Sequence, residues 1–385
     1  MWDRVIGQER VKRALLAACR SGRLSHAYLF YGAEGTGKDA MALELARVLR
    51  CEQGGDEACG ECSSCRNIAS MQDPDVRFVT SLPAGKNEEK GQDPLEKLSE
   101  ADLEAITGEL RAKGADPYHR ITIPRANLIK INSIRELRRE SSMSTAFNRN
   151  KVFIISQADA MEAEGANTLL KTLEEPPGRT MLILTTAHPE ALLPTIRSRC
   201  QLVRFDPLTE EEIRDALIGR GEAAPEQAGL VARLANGSYT RARELLQEDM
   251  MQIRRDVVDL IRRALMDNVP ELLDAVERVA GPKDRDETVR FLSFMLVWFR
   301  DALVLAHGGR VINLDQQAEL ASFMKNFPGA DLTRALADVE RAISLVERYA
   351  YIKLVLIQLV VNLREAILPG AARSVSGGLR PPRTP

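Results

Sequence analysis

The sequence predicts a parallel α/β core followed by two helical parts, and three observations carry this. A glycine-rich loop, Gly32-Ala-Glu-Gly-Thr-Gly-Lys-Asp39, stands between an apolar run and a helical pattern. Apolar runs at Ala27–Tyr31, Lys151–Ile155 and Thr180–Thr185 alternate with amphipathic stretches, as in a parallel sheet covered on both faces. After Pro207 no strand pattern recurs. The layout read from this is a core over residues 1–205, a small helical lid over 206–249, a larger helical domain over 250–369 and a tail over 370–385.

Taken in order, a helix is expected over Glu9–Ser21, a strand at Ala27–Tyr31, the glycine loop, and a helix over Ala40–Arg50. Val76–Thr80 reads as a strand. Residues 81–124 turn to Lys, Glu, Gly and Asp, with one helical patch at Leu98–Lys113. They read as a partly mobile surface insertion with no assignable chemistry. Regular structure resumes at Leu128–Ile131 and a basic helix, Ile134–Arg139. A helix over Glu164–Leu173 is stopped by Pro176-Pro177. Glu210–Ile218, Gln227–Ala235 and Arg241–Glu248 make the small helical unit, and helices continue from Met251 to Leu368. The Gly-, Ser-, Pro- and Arg-rich tail is expected to be disordered.

Bulk properties narrow the function. With 385 residues, the chain has room for two or three domains. A net charge of −2 with 28% charged residues excludes a global basic field for nucleic acid, though not a local patch. Met1-Trp2-Asp3-Arg4 leads into a polar amphipathic segment rather than a signal peptide. The apolar stretches Phe291–Leu305 and Ile352–Leu363 are interrupted by Arg300, Asp301 or Gln358, and a membrane span needs roughly 20 apolar residues. A soluble, cytoplasmic protein without a membrane partner is expected.

The glycine loop has the strand-before, helix-after context of a phosphate cradle. Gly32, Gly35 and Gly37 would let backbone N–H groups converge on phosphate oxygens, with Lys38 as a point charge. Its last position holds Asp39, where a hydrolysing loop carries the Ser or Thr hydroxyl that holds Mg²⁺. The Asp-Glu pair that orders the metal and activates water should end an apolar strand. Ser156-Gln157 stands there instead, with Asp159 three residues late. Two magnesium elements fail together, so the loop is read as able to hold ATP or ADP without hydrolysing it, and magnesium is not expected.

Four of the six cysteines crowd into Cys51-x7-Cys59-x2-Cys62-x2-Cys65. Three at three-residue intervals can wrap one tetrahedral ion, and a fourth from the preceding helix closes the set. Four thiolates leave no open position, which implies a structural zinc over residues 51–65. Ser198-Arg199-Cys200 means little as a tripeptide, and a surface arginine in an ion pair is its ordinary reading.

Taken together, Val5-Ile-Gly-Gln8, His26-Ala-Tyr-Leu-Phe30, the glycine loop, the four cysteines, Asn167-Thr-Leu-Leu-Lys-Thr-Leu-Glu-Glu-Pro-Pro177 and Leu184-Thr-Thr through Ser198-Arg-Cys200 resemble the bacterial clamp-loader branch of the AAA+ ATPases. The specific motifs cover residues 1–245. A four-cysteine module after the loop's helix is characteristic of the gamma/tau and delta-prime families of DNA polymerase III. The degraded metal positions favour delta prime. That resemblance implies a heteropentamer with gamma/tau and delta subunits, held through a C-terminal collar and loading the sliding clamp onto primed DNA. It implies no ATPase of the chain's own, although it would be part of the polymerase holoenzyme. Arg199 becomes an arginine finger reaching a neighbour's ATP in trans, Arg241 the phosphate-contacting lid arginine, and Thr186 or Ala187 the sensor position. Val5–Gln8 would lie near a nucleotide base. Two alternatives remain: an ATP-hydrolysing gamma/tau-like motor, and a zinc-stabilised AAA+ adaptor outside replication.

Overall fold

The computed structural model describes all residues except 1, 3, 86–90, 144–149, 248–249, 267, 282–284, 310, 312, 314–315, 349 and 369–385. The tail expectation therefore lies outside the described residues. The chain divides into two compact units, Met1–Glu244 and Leu245–Pro385.

In the first unit, helix α1 (Glu9–Ser21) precedes strand β1 (Ala27–Tyr31), and α2 runs Lys38–Arg50. This helix begins two residues before the expected start, because Gly37 adopts φ 95° and its left-handed turn caps it. Then come α3 (Ser63–Ala69), β2 (Val76–Val79), α4 (Glu100–Ala115), α5 (Ile131–Ser141) and β3 (Lys151–Ile155). The core closes with α6 (Ala163–Glu174), β4 (Thr180–Thr186), α7 (Pro194–Arg197) and β5 (Gln201–Arg204). Strand β5 has no counterpart in the sequence reading. It is a four-residue edge strand with Leu202 47% exposed, so the continuous apolar signal of a buried strand is missing.

All pairings are parallel, in the order β2-β3-β4-β1-β5. Strand β1 sits between β4 and β5, with Leu29 opposite Leu184 and Leu202. The chain leaves β1 for the far edge at β2, returns through β3 and β4, and then passes over β1 to β5. In open α/β sheets ligands bind at the carboxyl ends of the strands where the order is broken. The glycine loop occupies this position. Below it, Leu29, Phe153, Ile155, Leu182 and Leu184 pack against Ile134, Leu137 and Leu169 from α5 and α6. Burial of this kind contributes about 25 cal/mol per Å² of apolar surface.

Helices α8 (Glu210–Gly219), α9 (Pro225–Leu234) and α10 (Tyr239–Gln247) follow the sheet. A capping box starts α8, with Thr209 and Glu212 each satisfying the other's backbone N–H. The insertion differs from its expectation. Helix α4 carries Ile106, Lys113 and Gly114 inward, and Gly114 passes so close to α3 that an added Cβ would meet the Ala69 carbonyl at 2.3 Å. Few apolar residues sufficed to anchor it, which is why composition made it look like a loose surface segment.

The second unit is helical throughout its described residues: α11 (Met250–Ala264), α12 (Val269–Ala280), α13 (Arg285–Ala306), α14 (Gln317–Asn326), α15 (Leu332–Glu347) and α16 (Ile352–Ile367). Trp298, Phe299 and Phe323 meet edge to face within its core. Among the described residues no helix is long and apolar enough to cross a membrane.

Candidate nucleotide cavity and metal cluster

The glycine loop lines a cavity of ≈ 320 Å³ at the carboxyl ends of β1, β3 and β4. Gly35 has φ 71°, and an added Cβ would lie 2.0 Å from Ser238 Oγ. Only glycine allows the loop and the start of α10 to approach this closely. Tyr239 N donates to Gly35 O at 3.0 Å, and Gln8 Nε2 donates to Thr36 O at 3.2 Å. Within Val5–Gln8, Gln8 thus braces the loop.

Lys38 is buried and turned onto its own loop, its Nζ donating to Gly32 O at 2.8 Å and Ala33 O at 2.6 Å. Burial lowers its pKa from the ordinary lysine value, partly offset by Asp39 and Glu34. To hold a phosphate it would have to release both carbonyls. Arg241 is not among the cavity-lining residues, where Thr240 of α10 stands instead. Its backbone N–H donates to Ser238 Oγ, and its buried Nε has no hydrogen-bond partner among the described residues. Both sensor candidates, Thr186 and Ala187, line the cavity beside Thr185. Thr185 Oγ1 donates to Asp39, and Thr186 Oγ1 donates to Asp159.

Asp39 is the centre of the site. Lys113 Nζ lies 3.0 Å from one carboxylate oxygen, which also accepts from Ser156 Oγ at 3.0 Å, while Thr185 Oγ1 donates to the other at 2.7 Å. Burial alone would raise the Asp39 pKa, yet Lys113 and the Thr185 hydrogen bond hold it below the usual carboxylate range. These residues do not fit a magnesium ion: the one carboxylate at the loop's end is neutralised by an ammonium, and Ser156-Gln157 offers no second.

Lys113 escaped the sequence reading, since it lies in the insertion taken to lack chemistry. One signal existed. Ile106 and Lys113 are seven apart on one helix, so the lysine falls on the same side of α4 as its buried isoleucine.

The four cysteines do come together. Their Sγ atoms all lie within 4.8 Å of one another, and Cys59 Sγ to Cys65 Sγ is 3.9 Å. A tetrahedral zinc with Zn–S of about 2.3 Å sets its sulfurs about 3.8 Å apart. Backbone N–H groups of Cys59, Cys62 and Cys65 point at Cys51, Cys59 and Cys62 Sγ at 3.4, 3.3 and 3.4 Å, respectively. Such donors favour thiolates. The donor set fits a closed, four-thiolate zinc site.

Arg199 stands apart from the cavity. It follows α7, its Nη2 lies 2.7 Å from Glu174 Oε1, and its Nη1 donates to Thr195 O at 3.0 Å. Its side chain is 35% exposed. The next residue, Cys200, is buried against the sheet core, and burial pushes its thiol up to about 12. Cys200 is therefore an inert anchor that fixes the backbone presenting Arg199.

Known proteins give this geometry a lineage. The family described as DNA polymerase III, delta subunit, matches residues 7–209. The delta' subunit of Bacillus subtilis is 32% identical over 303 residues, 78% of each chain. That of Escherichia coli is 29% identical over 333 residues, 84% of each. The tau subunit of Escherichia coli is 30% identical over 321 residues, 82% of this chain but 40% of tau. The likeness to delta' spans most of both partners, whereas tau extends far beyond it. The chain belongs to the delta-prime subunit family of DNA polymerase III, within the clamp-loader branch of the AAA+ proteins.

Proposed function

We propose that this chain is a non-hydrolysing subunit of the bacterial replicative clamp loader, helping to place the sliding clamp on primed DNA. In this reading it assembles with gamma/tau and delta subunits in a cytoplasmic heteropentamer. Its own site performs no hydrolysis. The observation that carries this is Asp39 engaged by Lys113, Ser156 and Thr185, where a hydrolysing loop would offer a free hydroxyl to a metal ion.

The contribution to catalysis is made by Arg199, acting in trans on a gamma/tau neighbour's ATP. There its guanidinium would stabilise charge on the transferring phosphoryl group. Pro194 opens α7 and Cys200 anchors the following turn, so the backbone is fixed while the side chain stays about one-third exposed. Its bond to Glu174 is an exposed ion pair, worth about 0–1 kcal/mol, and is readily exchanged for a phosphate. The zinc held by Cys51, Cys59, Cys62 and Cys65 is structural.

The test is an ATPase assay with Mg-ATP on the chain alone, then on the complex with gamma/tau and delta. No turnover alone, and turnover in the complex that falls when Arg199→Ala is present, supports the reading. Turnover by the isolated chain at an ordinary loader rate would return it to the motor class. Failure to form any complex would point to an adaptor outside replication.

A further inference from the structure

The insertion is the motif that the function leaves unused, and its contacts run to both sides of the cavity. Lys113 Nζ reaches Asp39 on the loop's helix and donates to His119 O at 3.0 Å, which ties down the turn after α4. That turn is also fixed from within, with Glu109 Oε2 2.9 Å from His119 Nε2 and accepting from Thr122 N at 2.7 Å. Tyr118 OH accepts from Ile6 N at 2.9 Å on the core side. Toward α8–α10, the Tyr118 ring meets Tyr239 edge-on at 5.0 Å, and the Arg220 guanidinium lies over both rings at 5.3 and 5.2 Å. Asp116 pairs with Arg243 and, at 3.8 Å, with Arg220, while Arg120 pairs with Glu244 at 3.1 Å.

We propose that this insertion is a built-in strut: Lys113 supplies at Asp39 the positive charge that a metal ion supplies in a hydrolysing loop, and the 116–120 turn holds α8–α10 against the core without nucleotide. A bound nucleotide joins core and lid by charge and hydrogen bonds that vanish with each turnover. Here the bridging groups are covalently part of the chain, so the lid position does not depend on the ligand. Coupling passes through one contiguous set of contacts, Asp39, Lys113, His119, Tyr118 and Tyr239. The inference deepens the non-hydrolysing reading and rests on it only in assigning Asp39 no metal.

Hydrogen exchange on the full chain tests it. Lys113→Ala should speed exchange at Gly35–Asp39 and at Tyr239–Glu244 by about tenfold or more, because local opening becomes easier. Asp39→Asn should do the same, and the double variant Asp39→Asn/Lys113→Met should add nothing further, since both act through one link. The double variant removes both charges together, so it serves if Lys113→Ala does not fold. Adding Mg-ATP to the unaltered chain should leave exchange in α10 unchanged. The proposal is overturned by a folded Lys113→Ala with wild-type exchange in α10, or by Mg-ATP slowing that exchange about tenfold. ATPase activity enters neither readout, so failure here is separable from failure of the non-hydrolysing role.

Discussion

Lys113 Nζ lies 3.0 Å from Asp39 Oδ2, joining residues 74 positions apart in the sequence in the lining of the candidate cavity. The lysine side chain is 7% exposed and the aspartate 22%. Neither charge is free to serve a ligand while they hold each other.

Restoring the hydroxyl with Asp39→Thr is therefore expected to create no ATPase activity. Ser156 and Gln157 still offer neither a base nor an anionic metal ligand. The change should also destabilise, because Lys113 keeps a buried charge without its carboxylate, a loss of about 2 kcal/mol. Denaturant unfolding and a phosphate-release assay check both halves, and turnover in the single variant would refute the argument.

The pH dependence of the pair follows from the lowered Asp39 pKa. A carboxylate whose folded pKa lies below its unfolded value of about 3.9 adds stability above that value. The contribution is lost as pH falls through the folded pKa. The stability advantage of the unaltered chain over Asp39→Asn should accordingly be constant from neutral pH down to about 5 and shrink below about 4. An advantage that fades between pH 6 and 7 would assign it to another group.

For the cysteine cluster, metal analysis should return about one zinc per chain, and Cys59→Ser should lower that content. Chelation should depress the melting temperature, since ligand-stabilised folding follows mass action. Cys51 and Cys65 are buried at the ends of the set, so loss of metal would leave packed thiols with no cation between them. A metal-free chain with unchanged melting would sink the zinc assignment.

Arg199→Ala should fold normally, because Glu174 is itself 49% exposed and loses only a surface partner. In the assembled loader the same variant should cut ATP turnover at least about tenfold, a modest share of what arginine fingers supply. An unchanged rate in an intact complex would remove Arg199 from catalysis. Cys200→Ala offers a contrast: it should cost stability through a core cavity while leaving the guanidinium chemistry in place.

What the sequence determined by itself was everything carried by local pattern. Helix α1 runs over Glu9–Ser21 and strands β1 and β3 over Ala27–Tyr31 and Lys151–Ile155, as periodicity and apolar runs predict. The four cysteines were legible because ligand spacing is a short-range property, and the loss of magnesium groups could be read from Asp39, Ser156 and Gln157 alone. Strand β5 was not, because an exposed edge strand lacks the continuous apolar run. The partner of Asp39 was decided only by the tertiary structure. The seven-residue spacing from Ile106 marks Lys113 only as facing inward; its destination is set when Gly114 lets α4 close on Ala69 and Lys113 is carried to the loop. The placement of Thr240, rather than Arg241, at the cavity wall was decided in the same way, by how α10 seats on Gly35. Charge pairing across long sequence separations depends on packing, and packing is settled by the whole unit rather than by any stretch of it.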